Sequence, residues 1–251
     1  MNKQLLLYIQ PAYNYSTDKV EYAEVLTRKY KNIDSICDIL KYVELNSLEQ
    51  QFDMDVLEET LEILSKYAKL KYPIGINLCS STIEIPGISK TILEKIDKYN
   101  SVGNDIIIEV NEKTDFSDKN VQSNIKELRD HGIKIALDDF GIQSSNISTL
   151  INCKVDILKV DRAFIDNNNT NIEKEESQSK LLRVLLQICN EFNLKHIVEG
   201  IETNKQLNTI KRLGYDIVQG YLYEKPIPLV GYLKATELHD ASKSAEVACV
   251  H

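Results

Sequence analysis

Apolar and polar positions follow two rhythms along this chain, and the change from one to the other divides it. Leu5 to Gln10 and Val20 to Arg28 read as strands, and the link Asn14-Tyr15-Ser16-Thr17-Asp18 is too short for a crossover helix. The two are therefore expected to pair antiparallel as a hairpin. From there on, helical stripes and short apolar runs take turns. Asp55 to Leu70 carries Val56, Leu57, Leu61, Leu64 and Tyr67 at helical spacing, and Ser89 to Tyr99, Ser117 to His131 and Gln178 to Phe192 read the same way. Gly132 is placed to stop the third of these helices. Thr203 with Gln206 predicts a capping box for a further helix that ends at Leu213-Gly214. Between the helices, Ile74 to Leu78, Ile106 to Val110, Lys134 to Asp138, Ile157 to Val160, His196 to Val198 and Ile217 to Gln219 read as strands, with a short helix after Phe140-Gly141.

Eight strands mostly separated by helices predict a parallel sheet. At 251 residues the expected form is an α/β, TIM-like (β/α)8 barrel with an antiparallel first strand. An open doubly wound sheet is the alternative, weakened because no Gly-rich phosphate turn follows the first strand. The barrel is expected over residues 1–234, with a C-terminal tail, helical or disordered, over 235–251. Asn167 to Thr170 and onward through Glu173 to Ser179 is expected to be a polar surface loop.

Composition changes this picture little. Hydrophobic residues at 43% and charged residues at 27% fit a soluble globular protein. The apolar runs are too short to span a bilayer, and no signal-peptide pattern is evident, so no membrane partner and a cytoplasmic location are expected. A net charge of −8 argues against duplex nucleic acid, which needs a basic surface. A small anionic ligand stays open, because bound metals reverse the local sign of a site. Five widely spaced cysteines without a Cys-x-x-Cys pair argue against a disulfide framework or a zinc ribbon.

The chemistry gathers at the carboxyl ends of the strands. Asp138 and Asp139 are adjacent carboxylates that repel unless a cation or shared proton lies between them. Around them, at other strand ends, stand Glu24, Asn77, Glu109, Lys159 with Asp161, Glu199 and Gln219. Singly, each has an ordinary use: a hairpin-edge charge, a turn former, an exposed strand phase, a neutralising lysine. Together, on the one face where a barrel's strand ends meet, they make an oxygen-rich set suited to two hard cations, Mg²⁺ or Mn²⁺. Lys159 is suited to hold or deprotonate a water. That inventory fits two-metal hydrolysis of a phosphate ester. The histidines have no metal spacing, which makes a zinc hydrolase a poor reading.

These motifs resemble the EAL-domain family of cyclic di-GMP phosphodiesterases, in order, from Leu5 to about Pro228. Tyr8-Ile9-Gln10-Pro11 is similar to the family's opening strand, and Glu24-Val25-Leu26 stands at its Glu-Ala-Leu signature, followed by Arg28. Ile76-Asn77-Leu78, Glu109-Val110-Asn111-Glu112, Asp138-Asp139-Phe140-Gly141, Lys159-Val160-Asp161, Glu199-Gly200-Ile201-Glu202 and Gln219-Gly220-Tyr221 complete the series. The resemblance implies hydrolysis of cyclic di-GMP to linear pGpG with two divalent cations, Mg²⁺ or Mn²⁺, and inhibition by Ca²⁺. It implies that Glu24, Asn77, Glu109 and Asp138 bind one metal, and that Asp138, Asp139 and Glu199 serve the second. Lys159 and Gln219 would position the attacking water and Asp161 would orient Lys159. Gln10 and Arg28 would contact substrate, and Glu112 would brace the loop after Asp139. That loop departs from the family's Thr-Gly-Tyr-Ser-Ser, reading Ile142-Gln143-Ser144-Ser145-Asn146. The change is expected to affect second-metal affinity, turnover and a homodimer contact. It also favours the alternative function, a cyclic di-GMP receptor or a regulator that binds a protein partner.

Overall fold

A computed structural model describes residues 5–67, 70–99, 106–140, 154–165 and 172–248. β1 (Leu5–Asn14) and β2 (Lys19–Tyr30) form the expected antiparallel hairpin, with Gln10 opposite Glu24 and Asn14 opposite Lys19. The strands that follow are β3 (Ile74–Leu78), β4 (Ile106–Asn111), β5 (Lys134–Phe140), β6 (Ile157–Val160), β7 (Lys195–Val198) and β8 (Ile217–Gln219). Each ladder from β2 to β8 is parallel, and β1 lies antiparallel between β8 and β2, closing a mixed eight-strand barrel. A two-residue β9 (Ile227–Pro228) pairs with Tyr8 and Ile9 of β1, an addition the sequence reading did not contain.

The helices are α1 (Ile36–Leu45), α2 (Glu49–Leu64), α3 (Ser80–Ile83), α4 (Ile88–Lys98), α5 (Lys119–Asp130), α6 (Ile172–Glu191), α7 (Asn204–Leu213) and α8 (Leu229–Ala248). Strands buried on both faces carry near-continuous apolar runs. Ile76, Ile108, Leu137, Leu158, Val198 and Val218 belong to the main core together with helix residues such as Leu57, Ile92 and Leu128. Fully burying one such side chain contributes about 1.5–3 kcal/mol. The inward positions make a second, smaller cluster of Ala12, Tyr22, Ile107, Ala136, Ile157, Ile197 and Ile217. This is the packed layer that fills a small barrel.

Several boundaries differ from the sequence reading, each for a local reason. α1 was not expected, although Ser35 caps it by accepting from the Asp38 amide, and Ile39 and Val43 bury one helical turn apart. α2 begins six residues before the expected Asp55, because Phe52, Asp53 and Met54 are already buried. Glu173 to Ser179, expected as loop, belongs to α6; a polar helix start looks like a loop when only apolar periodicity is read. α8 runs unbroken through residue 235, where the tail was expected to begin. The capping box of α7 forms as expected, with Gly214 left-handed at its end. The expected helix after Phe140, the altered 142–146 sequence and Asn167 to Thr170 lie outside the described residues.

Candidate active site at the barrel mouth

Side chains two apart on a strand share a face. One step of two residues beyond the inner apolar layer leads from Tyr22 to Glu24 and from Ile107 to Glu109. It leads likewise from Ala136 to Asp138, Ile157 to Lys159, Ile197 to Glu199 and Ile217 to Gln219. On antiparallel β1 the step is reversed, from Ala12 to Gln10, and on β3 it runs from Gly75 to Asn77. The mouth is therefore the next layer of the same barrel, with apolar residues replaced by polar ones. Glu109 follows three isoleucines and is fully buried, so solvent gives its charge no ordinary excuse.

Lys159 stands at the centre, also buried. Its Nζ lies 3.1 Å from Glu24 Oε2, 2.5 Å from Glu109 Oε2, 2.9 Å from Asp138 Oδ1 and 2.7 Å from Glu199 Oε1. Asn77 Nδ2 donates to Glu24 Oε1 at 2.8 Å, and Gln219 Nε2 donates to Glu24 Oε2 at 3.3 Å and to the Gln10 carbonyl at 3.1 Å. Carboxylate oxygens of Glu24, Glu109 and Asp138 lie within 4.8 Å of one another, as do those of Asp138, Asp139 and Glu199. Asp138 belongs to both groups.

The adjacent aspartates reach this site by a different route from the one expected. β5 does not end at Asp138 but continues to Phe140. Leu137 pairs with Leu158 and Phe140 with Val160, so Asp138 and Asp139 together face Lys159 alone. This is a β-bulge, which turns a side chain out of strict alternation. Asp139 takes φ +57° there, a left-handed conformation that Asp tolerates better than most residues. Asn111 Nδ2 donates to Asp139 Oδ2 at 2.8 Å and holds it.

The remaining expected residues are placed as follows. Arg28 Nη1 donates to the Thr27 carbonyl, and its guanidinium lies over the Tyr8 ring at 5.9 Å. It shares a cleft of about 260 Å³ with Asn77, Asn111, Asp138 and Asp139. Gln10 Nε2 donates to the Glu224 carbonyl at 3.0 Å. Asp161 accepts from the Ala163 amide and caps the 3-10 turn Arg162–Phe164. The amide of Glu112 donates to the Asp138 carbonyl at 3.2 Å, and the loop it was expected to brace lies outside the described residues.

Three supporting residues escaped the sequence reading. Asn111 extends the inward run of Ile107 and Glu109 by one more step. Tyr22, two residues before Glu24, donates its hydroxyl hydrogen bond to Glu109 Oε1. Asp53 of α2 accepts from the Cys79 amide at 2.7 Å, fixing the chain just after Asn77. Only the first two had a signal, the period of two.

Electrostatics follow from crowding these charges out of water. Burial pushes the Glu109 carboxyl up to about 7 against the pull of Lys159, with Asp138 adding to the rise. Burial, then the charges of Asp138 and Asp161, pushes Asp139 up to about 6. Glu199 is held well above the carboxylate range, by burial first. For Lys159 burial acts downward, but Asp138, Glu109, Glu199 and Glu24 outweigh it and hold the ammonium well above its ordinary value. A carboxyl whose pKa is higher folded than unfolded binds its proton more tightly in the native state. Its contribution to stability is complete at acid pH and is lost as pH rises through the folded value. Chelator-treated protein is thus expected to melt at progressively lower temperature as pH rises through about 6 to 7. Thermal melts at fixed ionic strength from pH 5 to 8 test this, and a flat profile would contradict it.

The fold and this site define an EAL-type barrel. The EAL domain family profile matches residues 1–226, and the chain belongs to that family. The "Probable cyclic di-GMP phosphodiesterase PdeA" of Escherichia coli (strain K12) is 30% identical over 230 residues, covering 90% of this chain and 31% of PdeA. The chain spans less than half the length of that relative and of three others like it. The PaMucR phosphodiesterase in its c-di-GMP complex has a TM-score of 0.80 at 24% identity, over 92% of this chain and all of that one. Klebsiella pneumoniae BlrP1, in a manganese/cy-diGMP complex, has a TM-score of 0.78 at 20% identity, over 90% of this chain and 56% of that one. Among the described residues no helix is long and apolar enough to cross a membrane.

Proposed function

We propose that this chain is a metal-dependent phosphodiesterase that adds water across one phosphodiester bond of cyclic di-GMP, opening the ring to linear pGpG. The observation that carries the proposal is the pair of carboxylate groups sharing Asp138 around a buried lysine. Fully ionised, Glu24, Glu109, Asp138, Asp139 and Glu199 carry five negative charges against the single positive charge of Lys159. The difference, 5 − 1 = 4, is the charge of two divalent cations. The donors are oxygens, which suits Mg²⁺ or Mn²⁺. Glu24, Asn77, Glu109 and Asp138 would hold one cation, and Asp138, Asp139 and Glu199 the other. When bound, such ions supply Lewis acidity toward phosphate and lower the pKa of water.

The chain's own residues do the rest. Lys159 and Gln219, both reaching Glu24, hold the attacking water in the mouth, and Glu199 stands beside it. Asp161 fixes the exit of β6 by capping the turn that follows, and so steadies Lys159 two residues back. Arg28 donates a charge-assisted hydrogen bond to substrate phosphate, with Gln10 at the same rim. The names of PdeA and PaMucR, and the BlrP1 complex, support cyclic di-GMP as substrate. The free Cys37, Cys79 and Cys189 accord with a reducing cytoplasm.

Purified protein incubated with cyclic di-GMP and Mn²⁺ or Mg²⁺ is expected to yield pGpG by chromatography, with the yield abolished by chelator and by Ca²⁺. Tight cyclic di-GMP binding without product would instead assign the receptor role. Absence of nucleotide binding would overturn both.

A further inference from the structure

The inner apolar layer of the barrel contains one anomaly. Its members are alanine or isoleucine except Tyr22, whose ring is fully buried there. Room for that ring comes from β3, where the corresponding inward residue is Gly75. A methyl group at Gly75 would overlap the Tyr22 hydroxyl and ring and also the Glu109 carboxylate. The large residue on β2 and the absent side chain on β3 are thus one packing solution. A buried tyrosine hydroxyl needs a hydrogen-bond partner. Here the partner is not backbone but Glu109 in the mouth layer above.

That contact divides the work of the Glu109 carboxylate. Oε1 accepts from Tyr22 beneath, while Oε2 faces Lys159 at 2.5 Å. We infer that Tyr22 is a positioning residue for Glu109, its hydroxyl anchoring Oε1 from inside the barrel and fixing the carboxylate plane so that Oε2 is presented to a divalent cation. The inference rests on the metal-binding reading of the mouth. It adds that the apolar layer takes part in setting cation affinity. Among the described residues no other hydroxyl or amide donates to that oxygen, and an outer partner of a ligand typically sets its affinity by 10–100-fold.

The test is calorimetric titration of the chelator-treated full chain with Mn²⁺. Tyr22→Phe keeps the ring and its packing and removes only the hydroxyl. It is expected to weaken Mn²⁺ binding about 10-fold. In a Glu109→Met background, where the acidic group of Asp138, Asp139 and Glu199 persists, the same change is expected to leave affinity unaltered, because the hydroxyl then has no ligand to orient. Equal affinity of wild type and Tyr22→Phe would overturn the inference. So would an equal loss in both backgrounds, which would mark a general packing effect. If wild type itself binds no Mn²⁺, the metal-binding reading fails and takes this inference with it, a result distinct from failure at Tyr22 alone.

Discussion

Asp138→Ala is expected to reduce pGpG formation by at least on the order of 10³-fold, the largest loss of any single carboxylate change in the mouth. The reason is topological. Asp138 belongs to both acidic groups, whereas Glu24 and Glu109 belong only to one, and Asp139 and Glu199 only to the other. Metal-ion stabilisation of a phosphoryl transition state is worth several kcal/mol, and about 1.4 kcal/mol is tenfold in rate. On the proposed two-cation reading, losing the shared ligand would weaken both cations at once. Mn²⁺ titration separates the cases: Asp138→Ala is expected to lose both binding events, and Asp139→Ala only one. Activity of Asp138→Ala within tenfold of wild type would refute the shared-ligand reading. Asp138→Asn refines it, since the amide keeps the size of the side chain but removes its charge.

Why Asp138 can serve two groups was not visible in the sequence. The residue types and their spacing exposed the barrel, the antiparallel opening and the acidic ring, because strands buried on both faces leave Glu109 or Lys159 conspicuous among isoleucines and leucines. The conformation that aims adjacent aspartates at one point lies just past Asp138, where the strand was expected to end. It is a bulge within β5, with Asp139 at positive φ and two residues opposed to one on β6. Bulges depend on the register between two strands, which neither strand encodes alone. The same limit hid the pairing of Tyr22 with Gly75: the period of two aims the tyrosine inward, but the glycine that makes room for it lies on the neighbouring strand. α1 is different, since Ser35, Ile39 and Val43 form a cap and stripe that the sequence itself displays. For Asp161, two residues after Lys159, residue type gave no sign that its carboxylate caps the following turn.

Lys159→Met is expected to destabilise chelator-treated protein by about 3–5 kcal/mol at pH 8, the usual consequence of removing one partner from a buried ionic cluster. For a chain of this size that is a fall in Tm on the order of 10 °C. The methionine matches the lysine stem in length and packs acceptably, so the loss is electrostatic: Glu24, Glu109, Asp138 and Glu199 would face one another without their shared cation. Two opposite treatments should relieve it. Acidification helps because Glu109 and Glu199 already hold protons more tightly in the native state than unfolded. Removing the ammonium strengthens that preference, so the variant's deficit is present at high pH and shrinks on acidification. Mn²⁺ would help by replacing the missing positive charge, since a ligand that prefers the native state stabilises it. The variant is therefore expected to gain more Tm from Mn²⁺ at pH 8 than wild type does, while remaining inactive because the water has lost its lysine. Melts at pH 5.5 and 8, with and without Mn²⁺, decide the matter. A variant as stable as wild type at pH 8 in chelator would mean that the carboxylates do not depend on Lys159, and the charge balance proposed for the mouth would be wrong.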